Sequence, residues 1–134
     1  MRLTPQQCRD RLAVARHAVL ATVTPDGRPH TVPIVFAPDG DRLVTAVDAK
    51  PKSTVHLQRL RNLRAEPRAA MLAEHYDEDW SRLWWVRVDA EARVVDAAEE
   101  PDAVRAGGLL LARRYPQYGG VPPAGPLIVT VYSR

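Results

Sequence analysis

The sequence predicts a mainly β protein of the α+β class, a six-stranded antiparallel barrel with helices on its outside. Two Pro-Asp-Gly tripeptides, at 25–27 and 38–40, separate three short runs of strand-forming residues, which is typical of hairpins. The first three strands leave no room for crossover helices, so a parallel α/β sheet is not expected. With 134 residues the chain is long enough for a single domain, residues 1–134, around one core.

The first element is a helix, and a capping sequence marks its start. Thr4 can cap the helix, Pro5 fits the first helical position, and Gln7 completes a capping box. Cys8 and Leu12 lie on one face, which we expect to be the buried face of this helix.

Three strands follow, over residues 18–24, 28–36 and 42–48. In the second strand, alternation places four side chains on one face, namely Pro29, Thr31, Pro33 and Val35. Proline has no amide hydrogen to give to a strand partner, so this strand is expected at a sheet edge or beside a cleft.

The second half of the chain alternates between helices and strands. A helix runs from a Ser53 cap to about Arg64 and stops before Pro67. A strand over 68–74, an acidic loop over 76–82 and a long or bent strand over 83–96 come next. The last predicted elements are a helix over 101–114, a proline-rich loop over 115–126 and a strand over 127–132. Gly107 and Gly108 weaken the last helix by about 1 kcal/mol each.

Composition and motifs exclude several classes of function. No apolar run approaches the roughly 20 residues that cross a bilayer, and the N-terminus has no signal-peptide pattern. Cys8 is the only cysteine, which excludes an internal disulfide and a cysteine-ligated zinc. The four histidines lack metal-ligand spacing, so we expect no bound metal. A cytoplasmic protein without membrane contact is the simplest expectation.

Positive charge is concentrated between residues 50 and 68. This stretch holds one acid, Glu66, against six cations: Lys50, Lys52, Arg59, Arg61, Arg64 and Arg68. The two lysines stand between a strand end and a helix start, a position that favours binding of an anion. For the three central arginines the alternative is a plain solvated helix face. Nucleic acid is not expected, because aromatic residues make up only 6% of the chain and do not interleave with these cations.

Residues with an obvious catalytic role are scarce. No serine lies in a G-x-S-x-G elbow, and neither a P-loop nor a G-x-G-x-x-G fingerprint is present. We therefore leave the catalytic residues unassigned and expect a cofactor to carry the chemistry. The three tryptophans, Trp80, Trp84 and Trp85, lie within six positions. In an extended strand Trp84 and Trp85 point to opposite faces, so one can join the core while the other meets a ligand or a partner subunit.

Five segments form a longer pattern, namely residues 18–30, 32–36, 45–52, 60–68 and 75–87. The most specific pieces are Arg61-Asn62-Leu63 with the following Pro67-Arg68, and the block from Asp79 to Trp85. With this pattern the chain resembles the split β-barrel flavin/deazaflavin oxidoreductases, the superfamily of pyridoxamine 5′-phosphate oxidase. More narrowly it resembles the actinobacterial branch that uses coenzyme F(420), a deazaflavin.

The resemblance implies an FMN-binding-like split barrel that forms a homodimer with cofactor sites at the interface. It implies hydride transfer between reduced coenzyme F(420) and an electron-poor small molecule. FMN is the alternative cofactor, and a non-catalytic cofactor-binding protein is the alternative function. Relatives often carry a further C-terminal stretch with an aromatic residue and a glycine, where this chain has Tyr132-Ser133-Arg134. The segment between Lys52 and Arg61 is longer than in flavin-using relatives.

The resemblance also implies a set of cofactor-binding residues. The backbone around the ring would come from two strands: Val32, Pro33, Ile34, Val35, Thr45, Ala46 and Val47. Lys50 and Lys52 would meet the phosphate, helped by Ser53. The residues near or flanking the site would be Arg61, Asn62, Met71 and Leu72, with Trp80 or Trp84 supplied by the neighbouring subunit.

Overall fold

The computed structural model describes residues 2–46, 54–123 and 126–132, with backbone alone at 54–57 and 130–132. In chain order the elements are α1 (Pro5–Val14), β1 (Ala18–Val23), β2 (Pro29–Ile34), β3 (Ala37–Asp39), β4 (Arg42–Ala46), α2 (Thr54–Ala65), β5 (Arg68–His75), β6 (Trp84–Val95), α3 (Pro101–Arg114) and β7 (Leu127–Tyr132). Single turns of 3₁₀ helix lie at Trp80–Arg82 and Pro116–Tyr118.

The strands of the described residues form one antiparallel sheet in the order β2-β1-β5-β6-β7-β4-β3. Its two end strands, β2 and β3, are consecutive in the chain. Because only Val35 and Phe36 separate them, the sheet must curl until its ends approach each other. No strand pairing joins β2 to β3 within the described ranges, so the barrel is split at this point.

The α+β architecture predicted from the sequence is confirmed, with seven strands in the described residues instead of six. The additional strand is β3, which lies where the second Pro-Asp-Gly turn was expected. Asp39 pairs with Arg42, so the loop consists of Gly40 and Asp41, and Gly40 adopts a φ of 62°. Pro38 is tolerated in β3 because one side of an end strand has no partner to bond.

Local sequence signals explain the ends and faces of several elements. At the start of α1, the Thr4 hydroxyl accepts from the Gln7 amide at 3.2 Å, and the Gln7 side chain accepts from the Thr4 amide at 2.8 Å. In β2, Pro29, Thr31 and Pro33 are exposed, as is Val35 directly after the strand, whereas Val32 and Ile34 are buried. The predicted edge strand is therefore confirmed, since β2 pairs only with β1 in the described part of the chain.

Two apolar clusters form the core, one inside the barrel and one beneath α3. The second cluster depends on the glycines of α3. A Cβ at Gly107 would lie 2.5 Å from Leu127 Cδ1, and a Cβ at Gly108 would lie 2.7 Å from the Pro123 carbonyl oxygen. These glycines thus allow close packing of α3 on β7 and on the segment before it.

Within the described ranges, no helix has the length and apolar character needed to cross a membrane.

Candidate functional site

A groove of about 540 Å³ opens where the two ends of the barrel meet. Its walls come from the end of β2, the end of β4, α2, and the residues that follow α1 and α3. The lining residues are Arg16, Pro33, Ile34, Val35, Ala46, Arg59, Tyr115, Gln117 and Tyr118. Small-molecule and cofactor sites typically occupy roughly 300–1,000 Å³. The groove is therefore large enough for an organic ligand, and we call it the barrel-end groove.

Arg59 is a buried cation in the wall of the barrel-end groove. Its side chain is on α2 and is only 5% exposed, and its Nε has no hydrogen-bond partner in the described residues. Burial lowers the pKa of this guanidinium, because a low-dielectric surrounding disfavours the charged form. Arginine nevertheless stays protonated at neutral pH, and no acid among the described residues that line the groove neutralises this charge. An anion bound there would offset the cost of burying it.

The burial of Arg59 excludes the solvated-face alternative for this one of the three helix arginines. Arg61 and Arg64 are exposed as that interpretation requires, but Arg59 is not. Arg59 lies three and four residues before Asn62 and Leu63, which are also buried. This i, i+3, i+4 spacing is the one signal in the sequence that could have placed Arg59 on the inner face of α2.

Asn62 fixes the position of α2 on the barrel. Its side chain is fully buried, and its Nδ2 donates to the Thr22 hydroxyl of β1 at 3.0 Å. Its Oδ1 accepts from Gln58 Nε2 at 2.7 Å. Because Asn62 is about one helical turn from Arg59, this anchor also sets the direction in which Arg59 points. Asn62 does not line the barrel-end groove itself.

The floor of the groove is the link between β2 and β3, which consists of Val35 and Phe36. Each of these two residues is held by hydrogen bonds from a side chain. The Thr45 hydroxyl donates to the Val35 carbonyl oxygen at 2.6 Å. The Tyr115 hydroxyl donates to the Phe36 carbonyl oxygen at 2.7 Å and accepts from the Phe36 amide at 3.1 Å. Since the only proton of the Tyr115 hydroxyl is used on Phe36, this group is not available as a proton donor to a ligand.

Arg16 is a second cation at the groove. Its side chain is exposed, its Nη2 donates to the Arg114 carbonyl oxygen at 2.9 Å, and its guanidinium lies 4.8 Å from the Tyr115 ring centroid. No aspartate or glutamate lines the groove in the described part of the chain. Two cations without a neighbouring acid give this site a positive potential, which favours an anionic ligand.

The structure brings together only some of the residues that the sequence suggested for the site. Those in the barrel-end groove are Pro33, Ile34, Val35 and Ala46. Those with buried side chains are Val32, Thr45, Asn62 and Met71. Those on the surface are Arg61, Leu72 and Trp80. Those outside the described residues are Val47, Lys50, Lys52 and Ser53.

Trp84 belongs to a different groove of about 520 Å³, between the start of α1 and β6. It stacks on His75 with 6.2 Å between ring centroids, and the Arg11 guanidinium lies 5.7 Å from its ring. Trp85 is 63% exposed, so the two tryptophans face opposite sides of the strand as predicted.

Among the described residues, no three His, Cys, Asp or Glu side chains come close enough to hold a metal ion.

Tyr115 and Arg16 were not anticipated by the sequence analysis. They follow α3 and α1 respectively, almost 100 positions apart in the chain, and meet only in the folded protein. No local pattern marks either residue. A tyrosine directly after a helix, within a loop rich in proline and glycine, is an ordinary sequence feature.

Comparisons with known proteins agree with this fold. The sequence matches the pyridoxamine 5′-phosphate oxidase family over residues 4–129. A comparison with curated proteins gives no match. A conserved hypothetical protein from Mycobacterium tuberculosis is 25% identical, with a TM-score of 0.79 over 100% of this chain and 83% of that one.

Two further solved structures are similar to this chain. An F(420) reductase is 28% identical, with a TM-score of 0.68 over 98% of this chain and 97% of the other. An FAD-binding protein from Mesorhizobium loti is 18% identical, with a TM-score of 0.70 over 98% of this chain and 91% of the other. The second likeness is one of fold alone.

Proposed function

Because the chain belongs to the pyridoxamine 5′-phosphate oxidase family, we propose that it is an oxidoreductase with a flavin-type cofactor in the barrel-end groove. Coenzyme F(420) is the cofactor that we propose, and an electron-poor small molecule is the substrate. The single observation that carries the proposal is the buried Arg59 in the wall of the groove, whose Nε has no hydrogen-bond partner in the described residues. The similarity to an F(420) reductase along almost the whole chain supports the choice of the deazaflavin.

The residues of the groove fit a flavin or a deazaflavin. Both kinds of cofactor combine a flat ring with a phosphorylated tail. Pro33, Val35 and Ala46 offer an apolar wall against which a flat ring can lie. Arg59 and Arg16 offer positive charge for the phosphate, and a guanidinium binds phosphate oxygens with two parallel hydrogen bonds.

In the proposed mechanism the protein binds the cofactor, orients the acceptor relative to it and shields the reacting groups. A reduced deazaflavin, when bound, supplies a hydride to an electron-poor acceptor. Arg59 would neutralise the anionic tail, and the hydrogen-bonded link at Val35 and Phe36 would keep the groove floor in one position beneath the ligands. No aspartate, glutamate or histidine lines the groove in the described residues, so we propose that solvent supplies the proton.

Lys50, Lys52 and Ser53 remain part of the proposal as further phosphate contacts. The chain enters their segment from Ala46, which lines the groove, and leaves it at Thr54, where α2 starts. The three residues therefore belong to the connection between two walls of the site. We propose that the two lysines act together with Arg59 on the same anionic tail.

We also propose that the protein is a homodimer with the groove at its interface. The outer face of β2, β1 and β5 carries an exposed apolar row, because Val19 pairs with Pro33 on one side and with Leu72 on the other. Val19 is 36% exposed and Leu72 is 40% exposed. Pro33 and Val35 belong both to this face and to the groove. A second copy that covers the apolar row would therefore border the cofactor site.

The proposal is tested by incubating the purified protein with coenzyme F(420) or FMN, removing free cofactor, and recording the absorption spectrum. We expect the deazaflavin band to remain with the protein. Retention of FMN alone would favour an FMN-dependent enzyme instead. Retention of coenzyme F(420) without turnover of quinones, enones or tetrapyrroles would favour a cofactor-binding protein. Loss of both cofactors would overturn the proposal.

A further inference from the structure

Phe36 lies between β2 and β3 and has no strand partner in the described residues. In an antiparallel ladder, one residue of the neighbouring strand receives the amide hydrogen and supplies a donor to the carbonyl oxygen. At Phe36 both functions fall to one group, the Tyr115 hydroxyl, at 3.1 Å from the amide nitrogen and 2.7 Å from the carbonyl oxygen. The phenol thus replaces a strand at the gap in the barrel.

Arg114 holds this hydroxyl in place and connects it to α1. Its Nε donates to the Tyr115 hydroxyl at 3.2 Å. Its Nη1 donates to the Ala13 carbonyl oxygen at 2.8 Å, and its Nη2 donates to the carbonyl oxygens of Leu12 and Ala15. These are carbonyl groups that the end of a helix leaves without partners. The C-terminal ends of α1 and α3 are thereby tied to the β2–β3 link.

The position of Val35, the residue directly before Phe36, depends on this arrangement. Val35 lines the barrel-end groove, and its carbonyl oxygen is held by Thr45 from β4. The link is therefore fixed at Val35 from one side and at Phe36 from the other. Release of Phe36 would remove one of these two attachments and would allow the groove floor to shift.

We propose that Tyr115 is a positioning residue for the barrel-end groove. Its hydroxyl takes the place of a strand partner at Phe36 and keeps Val35 in the conformation that binds the ligand. Arg114 supports it by fixing the hydroxyl and the end of α1. The effect on the ligand rests on the proposed function, whereas the effect on Phe36 does not.

The first test measures hydrogen exchange of the Phe36 amide by NMR in the full-length protein without ligand. In Tyr115→Phe we expect this amide to exchange roughly tenfold faster or more, because it has lost its acceptor. The Leu20 amide in β1 should keep its rate. Tyr76→Phe, which changes an exposed tyrosine, should leave both amides unchanged. Unaltered exchange of Phe36 in Tyr115→Phe would overturn the proposal.

The second test measures the affinity of the same variants for coenzyme F(420), or for FMN if the protein retains that cofactor instead. We expect Tyr115→Phe to bind about tenfold more weakly and to shift the absorption band of the bound cofactor. Val88→Ala is the control for lost stability, because it truncates a buried residue of β6 away from the link. At a temperature where all variants are folded, Val88→Ala should bind like wild type.

The outcomes separate this inference from the proposed function. Equal losses of affinity in Tyr115→Phe and Val88→Ala would show a general effect of stability and would contradict positioning. If the wild-type protein retains no cofactor, the proposed function fails. Hydrogen exchange at Phe36 then still decides whether Tyr115 holds the link.

Discussion

Among single residues, Arg59 differs from the other buried polar side chains. Thr22, Thr45 and Asn62 are each buried with a hydrogen-bond partner, which offsets the loss of water. Arg59 is buried, and its Nε has no hydrogen-bond partner in the part of the chain that the structure describes. A buried guanidinium without an acceptor destabilises the protein unless a ligand supplies one. We therefore expect Arg59 to lower the stability of the free protein.

Replacement of Arg59 should affect the free energy of unfolding and the affinity for the cofactor differently. In Arg59→Met we expect the free energy of unfolding to stay the same or rise, because an unpaired buried charge is replaced by an apolar chain. Affinity for the cofactor should fall by about 1.5–3 kcal/mol, the range for hydrogen bonds to charged groups. Urea denaturation and cofactor titration measure the two effects. Arg64→Met, on the exposed side of α2, is the matched control, and an Arg59→Met protein with wild-type affinity would contradict the assignment.

Asp26 gives a prediction about pH. The Thr24 hydroxyl and then the Arg28 guanidinium lower the pKa of the Asp26 carboxyl below its usual 3.8. A carboxyl whose pKa is depressed by folding stabilises the protein above the pKa of the unfolded chain. This contribution is lost as the pH falls through the folded value.

We therefore expect Asp26→Asn to be less stable than wild type at pH 6 and to differ less from it at pH 2. Urea denaturation at both pH values measures this change. Asp39→Asn, in the other hairpin, is the control, because the Asp39 carboxylate has no hydrogen bond in the described residues. A deficit of Asp26→Asn that is equal at both pH values would contradict the role given to its charge.

At the level of elements, α3 shows how packing overrides helix propensity. Glycine to alanine in the interior of a helix normally stabilises by about 1 kcal/mol. In Gly108→Ala the new Cβ would lie 2.7 Å from the backbone carbonyl oxygen of Pro123, which cannot rotate away like a side chain. We expect a net loss of about 1–2 kcal/mol, since forced overpacking costs more than the propensity gained.

Thermal or urea denaturation of Gly108→Ala checks this prediction. The control is Ala106→Gly, an exposed position of the same helix, which should lose about 1 kcal/mol from propensity alone. A Gly108→Ala protein more stable than wild type would show that the segment around Pro123 moves without cost.

The elements set by local chemistry were predicted well from the sequence, and those set by pairing were not. The capping box at Thr4 and the bounds of α3 and β7 agree with the prediction, because caps, prolines and short-range periodicity decide them. β3 was missed, since a strand of three residues exists only through its pairing with β4. In the site, strand alternation placed Pro33 and Val35 on one face of an edge strand, and the family resemblance suggested them as cofactor neighbours. For Arg59 the sequence left a solvated helix face and an anion-binding role both open, because its burial depends on the packing of α2 against the barrel.

For the whole molecule, the apolar row on the outer face predicts the oligomeric state. We expect wild type to be a dimer at micromolar concentration and Leu72→Glu to be a monomer, because a charge in the middle of an apolar interface would be buried without a partner. Light scattering after size-exclusion chromatography measures this. Val121→Glu, at an exposed position outside the row, should remain a dimer. A monomeric wild type, or a dimeric Leu72→Glu, would contradict the proposed interface.

The attachment of Phe36 to Tyr115 has a consequence during synthesis, because the two residues are 79 positions apart. At translation rates of about 5–20 residues per second, Phe36 leaves the ribosome roughly 4–16 s before the residue that completes its hydrogen bonds. The pairing of β4 likewise cannot form before its partner strand β7 has been synthesised. The nascent polypeptide therefore has no complete barrel-end groove until Tyr115 and β7 have left the ribosome.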